Sequence, residues 1–151
     1  MKNTIFQTRN DFTGLIIRLT LGLVIFPHGA QKVLGLFGGY GFSGTMSYFT
    51  ETLHLPWIVA FLVILIEFVG AISFLLGFAS RIWGMLTIFL FIGIIFTAHL
   101  DNGFFMNWYG NQKGEGYEYH LLIIGLALAL VANGSGKLSI DQKLQDGTYT
   151  L

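Results

Sequence analysis

The chain has 151 residues, of which 54% are hydrophobic and 11% are charged, and its formal net charge is +0. Soluble domains carry about 25% charged residues, so this composition, with a mean hydropathy of +0.68, is that of a membrane protein with room for about four spanning helices. The balanced charge does not favour a nucleic-acid partner. The lack of cysteine excludes thiol–disulfide exchange, thiolate metal sites and iron–sulfur ligation by this chain.

The first predicted span covers residues 12–37. Basic residues precede it, as in a signal peptide, but Arg18 interrupts the apolar run and no A-x-A site follows, so we expect the helix to be retained. One stripe of this helix carries Arg18, Lys32 and several glycines, with His28 at its edge. Snorkelling of Arg18 and Lys32 to the two membrane surfaces is an equally good interpretation, whereas His28 lies within the span.

A connection rich in glycine and aromatic residues, 35–44, follows the first span. It lacks the G-x-x-x-x-G-K-[ST] pattern of a nucleotide-binding loop, so we interpret it as a tight turn whose aromatic rings rest on the membrane surface. A short amphipathic helix at about residues 43–52 leads from this turn to the second span.

The second predicted span, residues 57–78, contains a single carboxylate, Glu67, near its middle. A charge at the membrane midplane costs roughly 2.5–3.5 kcal/mol, so Glu67 needs a partner, a proton or a function. Small residues share its stripe and indicate that it faces another helix rather than lipid. Arg18 and His28 each lie about 7 Å from Glu67 in depth. Because arginine is the longer side chain, we predict an Arg18–Glu67 ion pair, direct or water-bridged.

The third predicted span, residues 82–100, follows a very short link and so forms an antiparallel hairpin with the second. His99 lies at its far end, where simple contact with interfacial water is the alternative to a functional role. An aromatic-rich loop leads to the fourth span, residues 117–133, whose first turns include Glu118 and His120. Glu118 lies near the N-terminus of this span, where the helix dipole stabilises a carboxylate, so a purely structural role also explains its presence. A polar tail, residues 134–151, completes the chain.

The distribution of basic residues predicts the orientation. Two lie at the end of the bundle that carries the loops, Lys32 and Lys113, and six lie at the other end: Lys2, Arg9, Arg18, Arg81, Lys137 and Lys143. The positive-inside rule then places both termini of this multi-pass protein in the cytoplasm. The predicted fold is an all-α, antiparallel four-helix membrane bundle that forms a single domain over residues 1–151.

Ionisable groups from three spans converge in the outer half of this bundle, with Glu67 beneath them. The candidate catalytic residues are Glu67, His99 and Glu118, and the candidate ligand-binding residues are Arg18, His28, Lys32 and His120. Histidine with glutamate suits proton transfer and would also suit the carbonyls of a non-covalently bound quinone. A metal site is the weaker alternative because no span carries a His/Glu pair at i,i+3 or i,i+4, and we predict none. A purely structural polar network is the other alternative.

The sequence resembles the DoxX family of small four-helix membrane proteins from Arg18 to Asp141. The resemblance rests on the order of Arg18-Leu19 with Gly22, Gly29 and Lys32; Glu67 with Gly70, Gly77 and Arg81; Gly103-Phe104-Phe105; Glu118-Tyr119; and Gly134-x-Gly136 before Ser139-x-Asp141. It implies an inner-membrane bundle and a link to redox chemistry. Relatives include the membrane subunit of a thiosulfate:quinone oxidoreductase, and others associate with superoxide dismutase and a sulfurtransferase.

Two functions therefore stay open at the level of sequence. The first is a subunit of, or an accessory to, a quinone-linked oxidoreductase, which would have a membrane or soluble redox partner protein. The second is a non-catalytic membrane scaffold or assembly partner, whose polar network fixes only the helix register. Either function is compatible with an oligomer, and both require contact with the lipid bilayer.

Overall fold

The structure, a computed structural model, describes residues 5–147, which are helical and contain no strand. The helices, in chain order, are α1 (Phe12–Leu34), α2 (Gly41–Ser47, continued by a π turn at Tyr48–Thr52), α3 (Trp57–Leu76), α4 (Ser80–Asn102), α5 (Glu118–Asn133) and α6 (Ile140–Gly147). The segments 5–11 and 134–147 pack at one end of the molecule, here the terminal end. The connections 35–56 and 103–117 lie at the opposite end, here the loop end.

Three helices, α1, α3 and α4, are long and apolar enough to cross a membrane. Helix α5 has 16 residues and spans roughly 24 Å at 1.5 Å per residue, which is short of a hydrocarbon layer of about 30 Å. The prediction of an all-α fold with long apolar helices is confirmed. A fourth membrane crossing, by α5, stays a prediction.

The helices pack around a core that includes Leu21, Phe74, Phe91, Ile123 and Leu130. Helix α1 packs against α3 and α5, and α4 packs against α5. The closest approach of α1 to α3 is at Gly29, where a Cβ atom would lie 2.5 Å from the backbone oxygen of Glu67. Only glycine permits this approach, which brings the next turn of α1 within reach of the Glu67 side chain.

Arg18 lies at the terminal end, with 1% of its surface exposed. Its guanidinium donates to five backbone carbonyls: those of Phe74, Leu75, Ser135, Lys137 and Leu138. Carbonyls in the last turn of a helix have no partner within that helix, so Arg18 satisfies the end of α3 and joins it to the segment after α5. The predicted Arg18–Glu67 pair is therefore wrong, because Arg18 already has acceptors beside it at the end of α3. The predicted snorkelling of Arg18 to water is equally excluded by its burial.

Asp141 closes the same end of the molecule. Its carboxylate accepts the backbone N–H of Ala79 at 2.7 Å and that of Ser80 at 3.1 Å, and it also accepts the hydroxyl of Ser135. The first N–H groups of a helix lack partners within that helix, so Asp141 caps the start of α4 from a distant part of the chain. The segment 134–147 is therefore part of the packed structure.

Candidate functional site

A cavity of about 520 Å³ lies at the loop end, between α1, α3, α4 and the first turn of α5. Its walls are mostly apolar. Five of the seven candidate residues line it: His28, Lys32, Glu67, His99 and His120. The sequence thus identified residues that the fold brings together from four helices, while their catalytic and binding roles stay predictions.

An ion pair between Lys32 and Glu67 forms one side of the cavity. The Lys32 Nζ atom lies 2.5 Å from Glu67 Oε2, and the side chains are 22% and 7% exposed, respectively. The pair forms because Gly29 allows α1 to approach the backbone of Glu67, and the lysine chain then reaches back along the helix surface. Lys32 therefore takes the place that the sequence analysis gave to Arg18. Its interpretation as a solvent-directed residue is wrong.

Two of the ionisable cavity residues lie in π turns. Glu67 is within the π turn Ile66–Gly70 of α3, and His99 ends the π turn Ile95–His99 of α4. Such turns insert an extra residue into a helix and are frequent at functional sites, because they redirect a side chain at the expense of regular hydrogen bonding. Their occurrence at both residues favours a functional site over a purely structural network.

The rings of His99 and His120 are in contact at the wall of the cavity, with centroids 4.2 Å apart and planes tilted by 43°. The Nδ1 atom of His99 lies 2.7 Å from the carbonyl oxygen of Glu115. A carbonyl can only accept a hydrogen bond, so Nδ1 carries the proton and Nε2 of the neutral ring is left as an acceptor. This backbone contact therefore sets the tautomer of His99.

Two buried polar atoms of α5 have no hydrogen-bond partner among residues 5–147: the hydroxyl of Tyr119 and Nδ1 of His120. Both residues line the cavity, and His120 is 6% exposed. Buried polar groups are almost always paired, so these two atoms are candidates for contact with a ligand or water that displaces a neighbouring side chain. Sequence reasoning missed Tyr119, although its place between two polar residues at the start of an apolar helix was a usable signal.

The structure does not bring Arg18 or Glu118 to the cavity. Arg18 lies at the terminal end, as described above. Glu118, one of the candidate catalytic residues, accepts the backbone N–H of Met106 with its Oε1 atom at 2.8 Å. Glu118 thus holds the loop 103–117 against the start of α5. Glu115, from the same loop, lines the cavity and was not among the predicted residues.

No three histidine or acidic side chains within the described part of the chain are close enough together to hold a metal ion. The ionisable groups that line the cavity are instead the Lys32–Glu67 pair, three imidazoles, one phenol and the Glu115 side chain. Together they present hydrogen-bond donors and acceptors inside an apolar enclosure, which is suited to an uncharged organic ligand with polar substituents.

Comparison with known proteins gives relatives that match most of the chain. "Putative oxidoreductase CatD" of Bacillus subtilis is 32% identical over 84% of this chain and 83% of its own. "Inner membrane protein YphA" of Escherichia coli is 26% identical over 85% and 88%, and "Inner membrane protein YqjF" of the same organism is 29% identical over 89% and 93%. No solved structure matches the chain. Residues 13–100 match the model of the DoxX family, and the chain is therefore a member of the DoxX family of membrane proteins.

Proposed function

We propose that the protein binds a quinone in the loop-end cavity and acts as a membrane subunit of, or an accessory to, an oxidoreductase. The observation that supports this proposal most strongly is that two residues with an unpartnered buried polar atom, Tyr119 and His120, line a mostly apolar cavity. A quinone has the matching character, since it is a flat apolar ring with two carbonyl acceptors.

The residues of the cavity have complementary abilities toward such a ligand. The Tyr119 hydroxyl can donate a hydrogen bond to a carbonyl oxygen, and Lys32 Nζ retains donors beyond the one directed to Glu67. His99, whose Nδ1 proton is held by Glu115, offers Nε2 as an acceptor to a hydroxyl group. A bound quinone would supply the capacity to take up two electrons and two protons. The histidines and Glu67 would then serve as the nearby proton carriers.

The proposal also includes the location of the protein. Two relatives are named as inner membrane proteins, which supports a location in a bacterial inner membrane. A third is named as a putative oxidoreductase, which supports a role in redox chemistry. The excess of basic residues at the terminal end supports cytoplasmic termini, with the loop end on the outer side. Exposed aromatic residues at the loop end, Phe37, Tyr40, Trp108 and Tyr109, are suited to a membrane–water interface.

The test is a calorimetric titration of the purified protein with a tail-less benzoquinone, which measures the affinity of binding. Tyr119→Phe removes only a hydroxyl that has no partner among the described residues, so we expect unchanged stability and an affinity lowered about threefold to tenfold. Tyr117→Phe is the matched control, because Tyr117 lies beside the site in sequence but outside the cavity lining. His99→Ala should also weaken binding. Equal affinity of the wild type and all three variants would refute the proposal.

The second candidate function is a scaffold. The observation that favours it is the terminal-end network, in which Arg18 and Asp141 fix helix ends without contacting the cavity. A scaffold needs no ligand, so it predicts that the wild type does not bind quinone and that Tyr119→Phe has no phenotype. The same titration therefore separates the two functions.

A further inference from the structure

The cavity continues into a gap between α3 and α4. At the level of Gly70 the two helices are in contact, since a Cβ atom there would lie 3.0 Å from the ring of Trp83. Beyond this level they separate: the first part of α3, Trp57–Leu65, packs against α1 and α2 but has no comparable packing against α4. The hairpin is thus closed toward the terminal end and open toward the loop end.

Two rows of cavity-lining residues face this gap, here called the lateral cleft. On α3 they are Val59 and Val63, and on α4 they are Phe89, Gly93 and Thr97, each one turn from the next. Phe89 is 65% exposed and Val59 is 41% exposed, so the cleft is open to the surroundings of the helices. Because α3 and α4 are both long enough to cross a membrane, those surroundings are lipid.

Two loop segments line the cavity at the loop end, in contrast to its side. Met106 and Glu115 belong to the loop 103–117, which is held by the bonds of Glu118 to Met106 and of His99 to Glu115. Leu53 and Leu55 belong to the connection between α2 and α3. The side that these segments leave open is the lateral cleft.

From this geometry we infer that the lateral cleft holds the apolar tail of the ligand, whose polar head lies in the cavity. This inference rests on the proposed function and narrows it to a membrane-dissolved quinone with a hydrocarbon tail, which enters from the bilayer rather than from water. The residues with unpartnered polar atoms, Tyr119 and His120, belong to α5, whereas the apolar rows belong to α3 and α4, the two helices that border the cleft. A tailed amphiphile is the one occupant that matches both regions at once.

Gly93 provides a test of this placement. A Cβ atom built at Gly93 would meet nothing within 4 Å, so we expect the fold to accept a larger residue there and a phenylalanine to occupy the cleft. Gly125 is the matched control, because it is also an exposed helical glycine with nothing within 4 Å but lies outside the cavity lining. Thr97→Phe, one turn along the same row, gives an independent measurement if Gly93→Phe does not fold.

The experiment compares a decyl-tailed benzoquinone with its tail-less counterpart in the same detergent. We expect Gly93→Phe and Thr97→Phe to weaken binding of the tailed compound about tenfold, equivalent to about two buried methylene groups, and to leave the tail-less compound within about twofold. Gly125→Phe should change neither. Unchanged binding of the tailed compound would refute the inference that the tail lies in the lateral cleft, and would leave the proposed function intact. Equal loss of both compounds would overturn it too, because the head would then lie at Gly93. If the wild type binds neither compound, both proposals fall.

Discussion

Replacement of Lys32 by methionine tests the energetic asymmetry of the Lys32–Glu67 pair. Among residues 5–147, Lys32 is the one side chain that donates to the Glu67 carboxylate, which is 7% exposed. Lys32→Met therefore leaves a buried charge without a partner, which costs roughly 3–5 kcal/mol in a dry site. We expect about 3 kcal/mol here, the lower end of this range, because the Lys32 side chain is 22% exposed.

The reverse substitution, Glu67→Gln, is expected to cost less. Glutamine keeps an acceptor for Lys32 and exchanges a charged hydrogen bond for a neutral one, a difference of about 1 kcal/mol. A change of 1 kcal/mol corresponds to about 2–4 °C in Tm for a protein of this size. The expected losses are therefore about 6–12 °C for Lys32→Met and about 2–4 °C for Glu67→Gln.

The changes in Tm can be measured by circular dichroism during thermal unfolding in detergent. The double variant should lose less than the sum of the two single losses, because the unpaired charge is removed with its partner. Lys113→Met, an exposed lysine in the loop 103–117, is the control and should shift Tm by about 1–2 °C at most. A larger loss for Glu67→Gln than for Lys32→Met, or strict additivity, would refute the reasoning.

Three further predictions concern other parts of the molecule. Arg18→Met leaves five buried or partly buried carbonyls without their donor, so it should lower Tm strongly and speed protease cleavage within 134–147. Gly29→Leu should separate α1 from α3 and lower Tm, whereas Gly125→Leu, at an open position, should not; equal effects would contradict the close approach at Gly29. Single cysteines at Gln112 and Lys143, both exposed, report topology in this cysteine-free chain: labelling of only the first from outside intact cells is expected, and the opposite result would reverse the orientation.

The sequence predicted the helices well because an apolar run is a local property. Helix α1 begins at the predicted residue 12, and α3 begins at the predicted residue 57. Glu67 could be singled out for the same reason, since a lone carboxylate between two apolar runs needs no tertiary information. The convergence of Lys32, His99 and His120 on the same cavity followed from their common position near one end of the spans.

The wrong partner for Glu67 has a physical cause in the offset between helices. The depths in the sequence analysis assumed that the start of α1 and the end of α3 lie at the same level in the membrane. In the structure Arg18 is level with Gly77, where a Cβ atom would lie 3.0 Å from Arg18 Nε, so the first six residues of α1 extend beyond α3. Six residues correspond to about 9 Å, which is more than the depth difference of about 7 Å that the prediction assumed between Arg18 and Glu67. Hydropathy fixes the extent of a span but not its height relative to a neighbour.

The roles of Asp141 and Glu115 could not be predicted, because both act through backbone groups. Asp141 caps a helix that begins 61 residues earlier in the chain, and Glu115 contacts His99 through its carbonyl oxygen. A carbonyl is common to every residue, so no side-chain pattern distinguishes it. Tyr119 is different: its hydroxyl is a side-chain feature, and its adjacency to His120 would have justified its inclusion among the candidates.

The position of segment 134–147 has a consequence for biosynthesis. This segment leaves the ribosome after α1 to α5, yet it supplies three of the five acceptors of Arg18 and, through Asp141, the cap of α4. The apolar helices can therefore enter a membrane one by one. The contacts of Arg18 and Asp141 at the terminal end, however, cannot form until translation has passed residue 141. A truncation or fusion within this polar segment would leave the hydrophobicity of every helix unchanged and still prevent the bundle from closing.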